Sequence, residues 1–402
     1  MKTWKKIVTA SVFALSIAAI AKTDAQAASK ITNVKQINAT DDSIQISWDA
    51  GLGSDRYKIE ISQDKTTWVV ADDTSDTRTY INNLSAGRSY YVRVSGYKDW
   101  SWSTETGTLL YETSTPIDVV TSPEVPNANV VQSAATTTGF SVKFSNTAGT
   151  GANWYMVQLR NDVIVGQSAN TTVKTNQKLE KATSYWADAF ICRKSSSGFV
   201  ALGTRKYMQF KTLSNKISTN HFGTTSALSN IDVYYFLIND QQSVDGYQMQ
   251  FVNTAGKVKK NIVQTSSSFR VEGVVNGTFY KYRVRSYVEC GTKKAYSAWS
   301  GYRYIGVTKK VTTGLRGSGI RFNWSNVAGA SNYVVYMSTS ENSGYKKIAS
   351  TTAKKRNIAV TKYKGKKIQK NKKYYFKIET YAKNGKKKVK SEVILRFSVT
   401  KY

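Results

Sequence analysis

Beyond the first 27 residues the chain alternates apolar and polar positions with period two, in short runs. Examples are Ile44-Gln-Ile-Ser-Trp48, Tyr57-Lys-Ile-Glu-Ile61, Tyr90-Tyr-Val-Arg-Val94, Phe140-Ser-Val-Lys-Phe144, Tyr280-Lys-Tyr-Arg-Val284, Ile320-Arg-Phe-Asn-Trp324 and Tyr374-Tyr-Phe-Lys-Ile378. Such alternation buries one face of a strand and leaves the other in water. Two sheets of this kind must stack to hide their apolar faces, so the pattern predicts an all-β chain of sandwiches. No long run of period 3.6 follows the leader, and helix is expected to be nearly absent. Turn residues punctuate the runs at Ser62–Lys65 and Ser340–Gly344, and Asn384-Gly385 reads as a tight hairpin turn.

The runs repeat. Tyr90, Tyr185, Tyr280 and Tyr374 are spaced by 95, 95 and 94 residues, and each lies six residues after an aliphatic position: Leu84, Leu179, Val274 and Ile368. A tyrosine so placed can bury its ring and rest its hydroxyl on nearby backbone. Upstream, Trp48 and Trp324 each end a strand and are followed nine residues later by Tyr57 and Tyr333. The middle copies put Phe144 and Phe236 at the tryptophan's place, with the next strands starting near Tyr155 and Tyr247. Trp48, Tyr57, Tyr90, Tyr185, Tyr280, Trp324, Tyr333 and Tyr374 are therefore the expected structural core. Four domains follow, at 30–117, 118–213, 214–308 and 309–402. Of the joins, only the first contains proline, and those near 213–216 and 307–310 are expected to be short and hinge-like.

These landmarks, with the Trp102-Ser103 and Trp299-Ser300 endings, resemble secreted bacterial proteins built of tandem fibronectin type III domains, over about residues 30–402. The family's proline two residues after the aliphatic corner residue is missing; Ala86, Lys181, Asn276 and Lys370 stand there. The resemblance implies four immunoglobulin-like sandwiches and a non-catalytic binding, adhesive or spacer role.

Composition narrows the chemistry. Lys2, Lys5 and Lys6, the apolar stretch from Ile7 to Ala21 and Ala25-Gln-Ala27 have the layout of a secretory signal peptide at 1–27. The protein is thus expected outside the cell or at its surface, with no membrane span in the mature chain. One histidine, His221, and two cysteines, Cys192 and Cys290, disfavour zinc sites, triads and disulfide frameworks. The cysteines fall at non-equivalent places in different repeats and are expected as separate buried thiols. No cofactor, metal or catalytic residue is predicted, and a monomer is expected. The acidic loop at Asp72, Asp73 and Asp76 matches no defined calcium loop.

Charge is the one asymmetric feature. Lys and Arg number 58 against 26 Asp and Glu, and residues 309–402 hold 24 of the former and 3 of the latter. Such a field attracts an anionic polymer: a wall phosphate polymer or a sulfated or acidic glycan. A surface protein is the other kind of partner the sequence allows. Lysine lacks the planar fork of arginine, so sequence-specific nucleic-acid reading is not expected. Alternation places Lys377, Lys388, Lys390 and Arg396 on one outer face beside Tyr375 and Tyr381, and with Lys386 they form the candidate polyanion site. The alternative partner is a carbohydrate stacked on surface tryptophans, for which Trp100, Trp102 and Trp299 are the candidates. The competing structural reading stacks Arg93, Arg283 and Arg285 on these tryptophans in a ladder that stiffens the outer sheet face.

Overall fold

The computed structural model describes residues 29–402 apart from 102, 123–127, 196–197, 229–231, 241–242, 274 and 318. The candidate leader, Trp102, Val274 and the proline end of the first join at Pro126 lie outside the described residues.

Each repeat folds into the sandwich that its alternation predicts, a three-stranded sheet against a larger one. In the first, Lys35–Ala39, Ile44–Ser47 and Arg78–Ile81 face Val69–Thr74, Arg56–Ser62, Ser89–Ser101 and Thr106–Tyr111. In the second, Asn129–Thr136, Gly139–Ser145 and Thr172–Lys174 face Ile164–Ser168, Trp154–Leu159, Ser184–Ser195 and Gly198–Lys211. The third pairs Phe222–Leu228, Val233–Ile238 and Ser268–Glu272 opposite a sheet centred on Gly246–Asn253 and Tyr280–Cys290. The fourth sets Val311–Arg316, Gly319–Trp324 and Asn357–Val360 against Lys346–Thr352, Ala330–Ser338, Lys372–Asn384 and Lys387–Lys390, with Leu395–Lys401 also on Lys372–Asn384. The strand Ile117–Val120 pairs with Ser89 to Val92, so the first sandwich runs past the boundary expected at 117.

The first sandwich and the segments Gly149–Gly151 and Arg193–Gly203 make one compact unit, and the remainder of the chain from Asn127 makes another. In the first and fourth cores the expected aromatics meet edge to face. Trp48 lies 5.4 Å from Tyr57 at 64°, and Trp324 lies 5.5 Å from Tyr333 at 75°, a geometry worth about 0.5–1.5 kcal/mol beyond burial. Phe144 meets Tyr155 in the second repeat with the rings tilted, 5.2 Å apart at 43°. The third departs from expectation. Trp48, Phe144 and Trp324 each donate their backbone N–H to Thr77, Thr171 and Arg356, and the amide that makes this bond in the third repeat is that of Ile238, to Ser267. Ile238, not Phe236, therefore stands at the tryptophan's place. Phe236 sits two residues earlier on the same face, packed on Phe251 and Tyr282.

The corner tyrosines share a niche. Tyr90, Tyr185 and Tyr374 each accept, at the hydroxyl, the N–H of the residue five earlier: Ser85 at 2.9 Å, Glu180 at 2.7 Å and Gln369 at 3.1 Å. In the third repeat the equivalent amide, Val275, donates instead to Asp232 Oδ1 at 3.1 Å, and Asn276 donates to the same oxygen at 2.8 Å. Tyr57 and Tyr333 make a similar bond six residues back, to the N–H of Gly51 and of Val327.

The later joins are not free hinges. Between the second and third sandwiches Ala135, Leu213, Val288 and Cys290 form a shared apolar cluster, Lys211 pairs with Asp245 at 2.5 Å, and Ser214 bonds Ser286. Between the third and fourth, Glu392 reaches out of the loop before the last strand. It accepts Arg303 Nε at 2.7 Å and Thr224 Oγ1 at 2.5 Å, with Tyr282 also donating to it. Its own N–H donates to Tyr304, and Ser391 accepts from Gly306. Short joins bring the sandwich ends close together, and polar groups there bond one another across the join.

Candidate functional site

The basic face of the fourth sandwich is built on the strand Lys372–Asn384. Its even positions Tyr374, Phe376 and Ile378 are buried in the core, which turns Tyr375, Lys377, Glu379 and Tyr381 outward. Register then fixes their neighbours. Lys377 lies between Arg396 and Tyr336, Tyr381 opposite Lys390, and Lys383 opposite Lys388. Lys377, Lys388, Lys390 and Arg396 thus share the outer face. The hairpin closes between Asn384 and Lys387, so Gly385 and Lys386 form the turn, one residue later than expected. Gly385 takes the first corner at φ +60°, where a β-carbon would be strained, and Lys386 stands at the tip.

Aromatic rings carry the cations. Lys377 Nζ lies 3.6 Å above Tyr345, Lys388 Nζ 4.2 Å above Tyr381, and Lys373 Nζ 5.3 Å from Tyr375. Burial under Tyr345, reinforced by the charge of Arg396, lowers the Lys377 pKa from the usual lysine value. Sequence reasoning missed Tyr345, which arrives from a loop, and Glu379, which lies at the centre of the face. Glu379 is buried, accepts Tyr381 and Tyr336 hydroxyls at 2.6 and 3.2 Å, and pairs with Lys390 at 3.2 Å. Its charge, with burial, raises the Tyr381 pKa above the ordinary phenol value.

This accounts for the domain's carboxylates. Residues 309–402 have only Glu341, Glu379 and Glu392. Glu379 is covered by tyrosines and Lys390, and Glu392 is held by Arg303. Glu341 is exposed. The outer surface is accordingly cationic almost without relief.

Residues 29–109 match the family model described as Fibronectin type III domain. The chain resembles tandem fibronectin type III proteins. Among solved structures, the chicken CNTN1 FN1–FN3 domains share 11% identity over 93% of this chain and 99% of that one, with a TM-score of 0.19. A two-domain fibronectin type-III segment of chicken tenascin shares 13% over 44% and 97%, with a TM-score of 0.23. No curated protein matches the sequence.

Of the tryptophans on the fibronectin type III sandwiches, Trp299 meets the cations expected of it and Trp100 does not. Trp299 is sandwiched between Arg283 and Arg285, each 4.3 Å from its ring, with Tyr302 and Tyr296 covering the outer guanidinium faces. Gln250 and Gln248 hold the two arginines in place. A sugar would have to displace this stack. Arg93 does not lie on Trp100; it lies 4.1 Å from Trp68 and pairs with Glu60 at 2.9 Å. Trp100 packs against Tyr97 instead, with its indole nitrogen buried. The alternation alone could not tell which ring meets which cation, because Trp68 lies in the loop just before the strand Val69–Thr74, outside any alternating run.

The remaining candidates are local. Cys192 and Cys290 are separate, free and buried, and burial pushes the Cys192 thiol up to about 12. His221 stands in the turn Thr219–His221, its Nδ1 3.9 Å from Asp240. Asp72 and Asp73 belong to the strand Val69–Thr74 and not to a loop as expected; Asp73 pairs with Arg56 and Asp72 accepts from Thr79. No helix among the described residues is long and apolar enough to cross a membrane.

Proposed function

We propose that this is an exported, non-catalytic fibronectin type III repeat protein whose fourth domain docks on an anionic polymer of the envelope or matrix. The proposed domains are those of the sequence reading, with the first extended to Val120. One observation carries the proposal: two of the fourth domain's three carboxylates are withdrawn into internal contacts while all its lysines but Lys377 and Lys401 stay exposed. A merely soluble surface mixes both signs of charge. This one maximises a single sign at the cost of self-repulsion, which an anionic partner would relieve. Lys377, Lys386, Lys388, Lys390 and Arg396 supply the charge, and the first three domains serve as the arm that presents it.

Lysine ammoniums act as point charges, so binding should be diffuse and salt-sensitive rather than shape-specific. The test is retention on resins bearing polyphosphate or a sulfated polysaccharide. The intact protein should be held at low salt and released as salt rises. Lys377→Gln/Lys388→Gln/Arg396→Gln should elute earlier. Passage of the intact protein through both resins at low salt would overturn the proposal.

A further inference from the structure

We infer that the fourth domain also holds a built anion cleft, separate from its outer sheet face, which takes one compact, multiply charged phosphate or sulfate group. This rests on the reading of the domain as an anion binder and names where a single group of the polymer would sit. The cleft, about 240 Å³, is lined by Thr339, Tyr363, Gln369 and Tyr374 and by Lys364, Lys366, Lys367 and Lys372. Four lysines and no carboxylate residue line one concavity.

The local fold imposes this crowding. Lys362–Tyr363 and Lys366–Lys367 form a minimal hairpin around Lys364 and Gly365, both at positive φ, 49° and 76°. Such a turn strains a lysine, since only glycine adopts that conformation freely. The register sets Lys362 directly opposite Lys367, a like-charged cross-strand pair that opposes folding. The hairpin is nonetheless fixed. Tyr363 is buried and donates to the Gly344 carbonyl at 3.1 Å, Ile368 is buried with its N–H on Thr361, and Gln369 N–H rests on the corner hydroxyl of Tyr374. Lys372 Nζ reaches Gln369 Oε1 at 3.4 Å, at the mouth of the same cleft. An arrangement that works against stability and yet is anchored at three points is what a preorganised anion site requires. The hydroxyl of Thr339 and the amide of Gln369 add neutral donors.

The probes are inorganic pyrophosphate and, separately, inorganic sulfate, titrated calorimetrically into the intact protein at moderate salt. Saturable binding of one ion per chain is expected, and the preferred probe tells phosphate from sulfate. Lys366→Gln/Lys367→Gln/Lys372→Gln should weaken it by at least about tenfold, the scale of one lost charge-assisted contact. Lys366→Arg/Lys367→Arg should retain it, which guards against loss through misfolding. Lys346→Gln/Lys347→Gln/Lys354→Gln removes equal charge elsewhere on the domain and should change it little. Equal weakening by the cleft and control triples, or no saturable binding of either ion, would overturn the cleft. Polymer retention without small-anion binding removes the cleft alone. Small-anion binding without polymer retention removes the docking proposal and leaves the cleft standing.

Discussion

Arg303 of the third sandwich holds Glu392 of the fourth by two guanidinium nitrogens, Nε at 2.7 Å and Nη2 at 2.6 Å. The same carboxylate accepts from Tyr282, which is fully buried and whose pKa is raised by that burial and by the nearby negative charge. Removing either partner leaves the other group at a part-buried junction without its counterpart. We expect Glu392→Ala to lower stability by roughly 2–3 kcal/mol, below the cost at a fully buried pair because Arg303 is partly exposed. Glu392→Gln should cost less. Thermal unfolding measures the loss, and small-angle scattering should show the pair of domains broaden in shape only for the variants. Unchanged melting for Glu392→Ala would refute the role.

The corner tyrosines make a second prediction. Tyr374→Phe removes the acceptor for the Gln369 N–H and should cost about 1 kcal/mol. Asp232→Ala removes the acceptor of two amides, Val275 and Asn276, and should cost more than Tyr374→Phe, roughly 1–3 kcal/mol. Chemical denaturation of each variant gives the comparison, and a smaller effect at Asp232 would contradict the division of labour described for the third repeat.

Trp299→Ala strips the ring from between Arg283 and Arg285. A loss of roughly 1–2 kcal/mol is expected from the two cation–π contacts. Retention on the anionic resin should be unaltered, because the ladder stiffens its own sheet. Quenching of Trp299 emission by a soluble neutral polysaccharide would speak for a sugar platform instead.

The pH dependence has a defined sign. The Cys192 thiol is stabilised in its neutral form, with its pKa pushed up to about 12, whereas an unfolded cysteine ionises near pH 8.5. Stability from this group is whole below the unfolded value and is lost as pH climbs towards 12. At pH 8 the folded protein should resist alkylation at both cysteines and react fully in denaturant. Rapid labelling of Cys192 in the native state would rule out the buried placement.

Polyanion retention should be nearly level from pH 6 to 8 and fall as lysines lose their protons above pH 9. Lys377, whose pKa is lowered beneath Tyr345 and beside Arg396, should discharge below the ordinary lysine range. Tyr345→Ala would return it towards the ordinary range, and the chemical shift of its Nζ-adjacent carbons against pH reports the change. An unshifted titration curve would remove Tyr345 from the site.

The sequence by itself determined the strands, the fourfold repeat and the inward rings, because period-two alternation and the spacing of Tyr90, Tyr185, Tyr280 and Tyr374 are local properties that any sandwich must satisfy. It also determined which domain is cationic and, through parity along Lys372–Asn384, which lysines turn outward. Tertiary structure decided what stands next to them. Glu379 meets Tyr336 of a neighbouring strand, Tyr345 comes from a loop, Trp68 rather than Trp100 meets Arg93, and Glu392 crosses to Arg303. Those pairings depend on register and on how adjoining sandwiches abut, which a one-dimensional pattern of polarity does not encode. A residue's face follows from its neighbours in the chain; its partners follow from segments that only folding brings within a few ångströms.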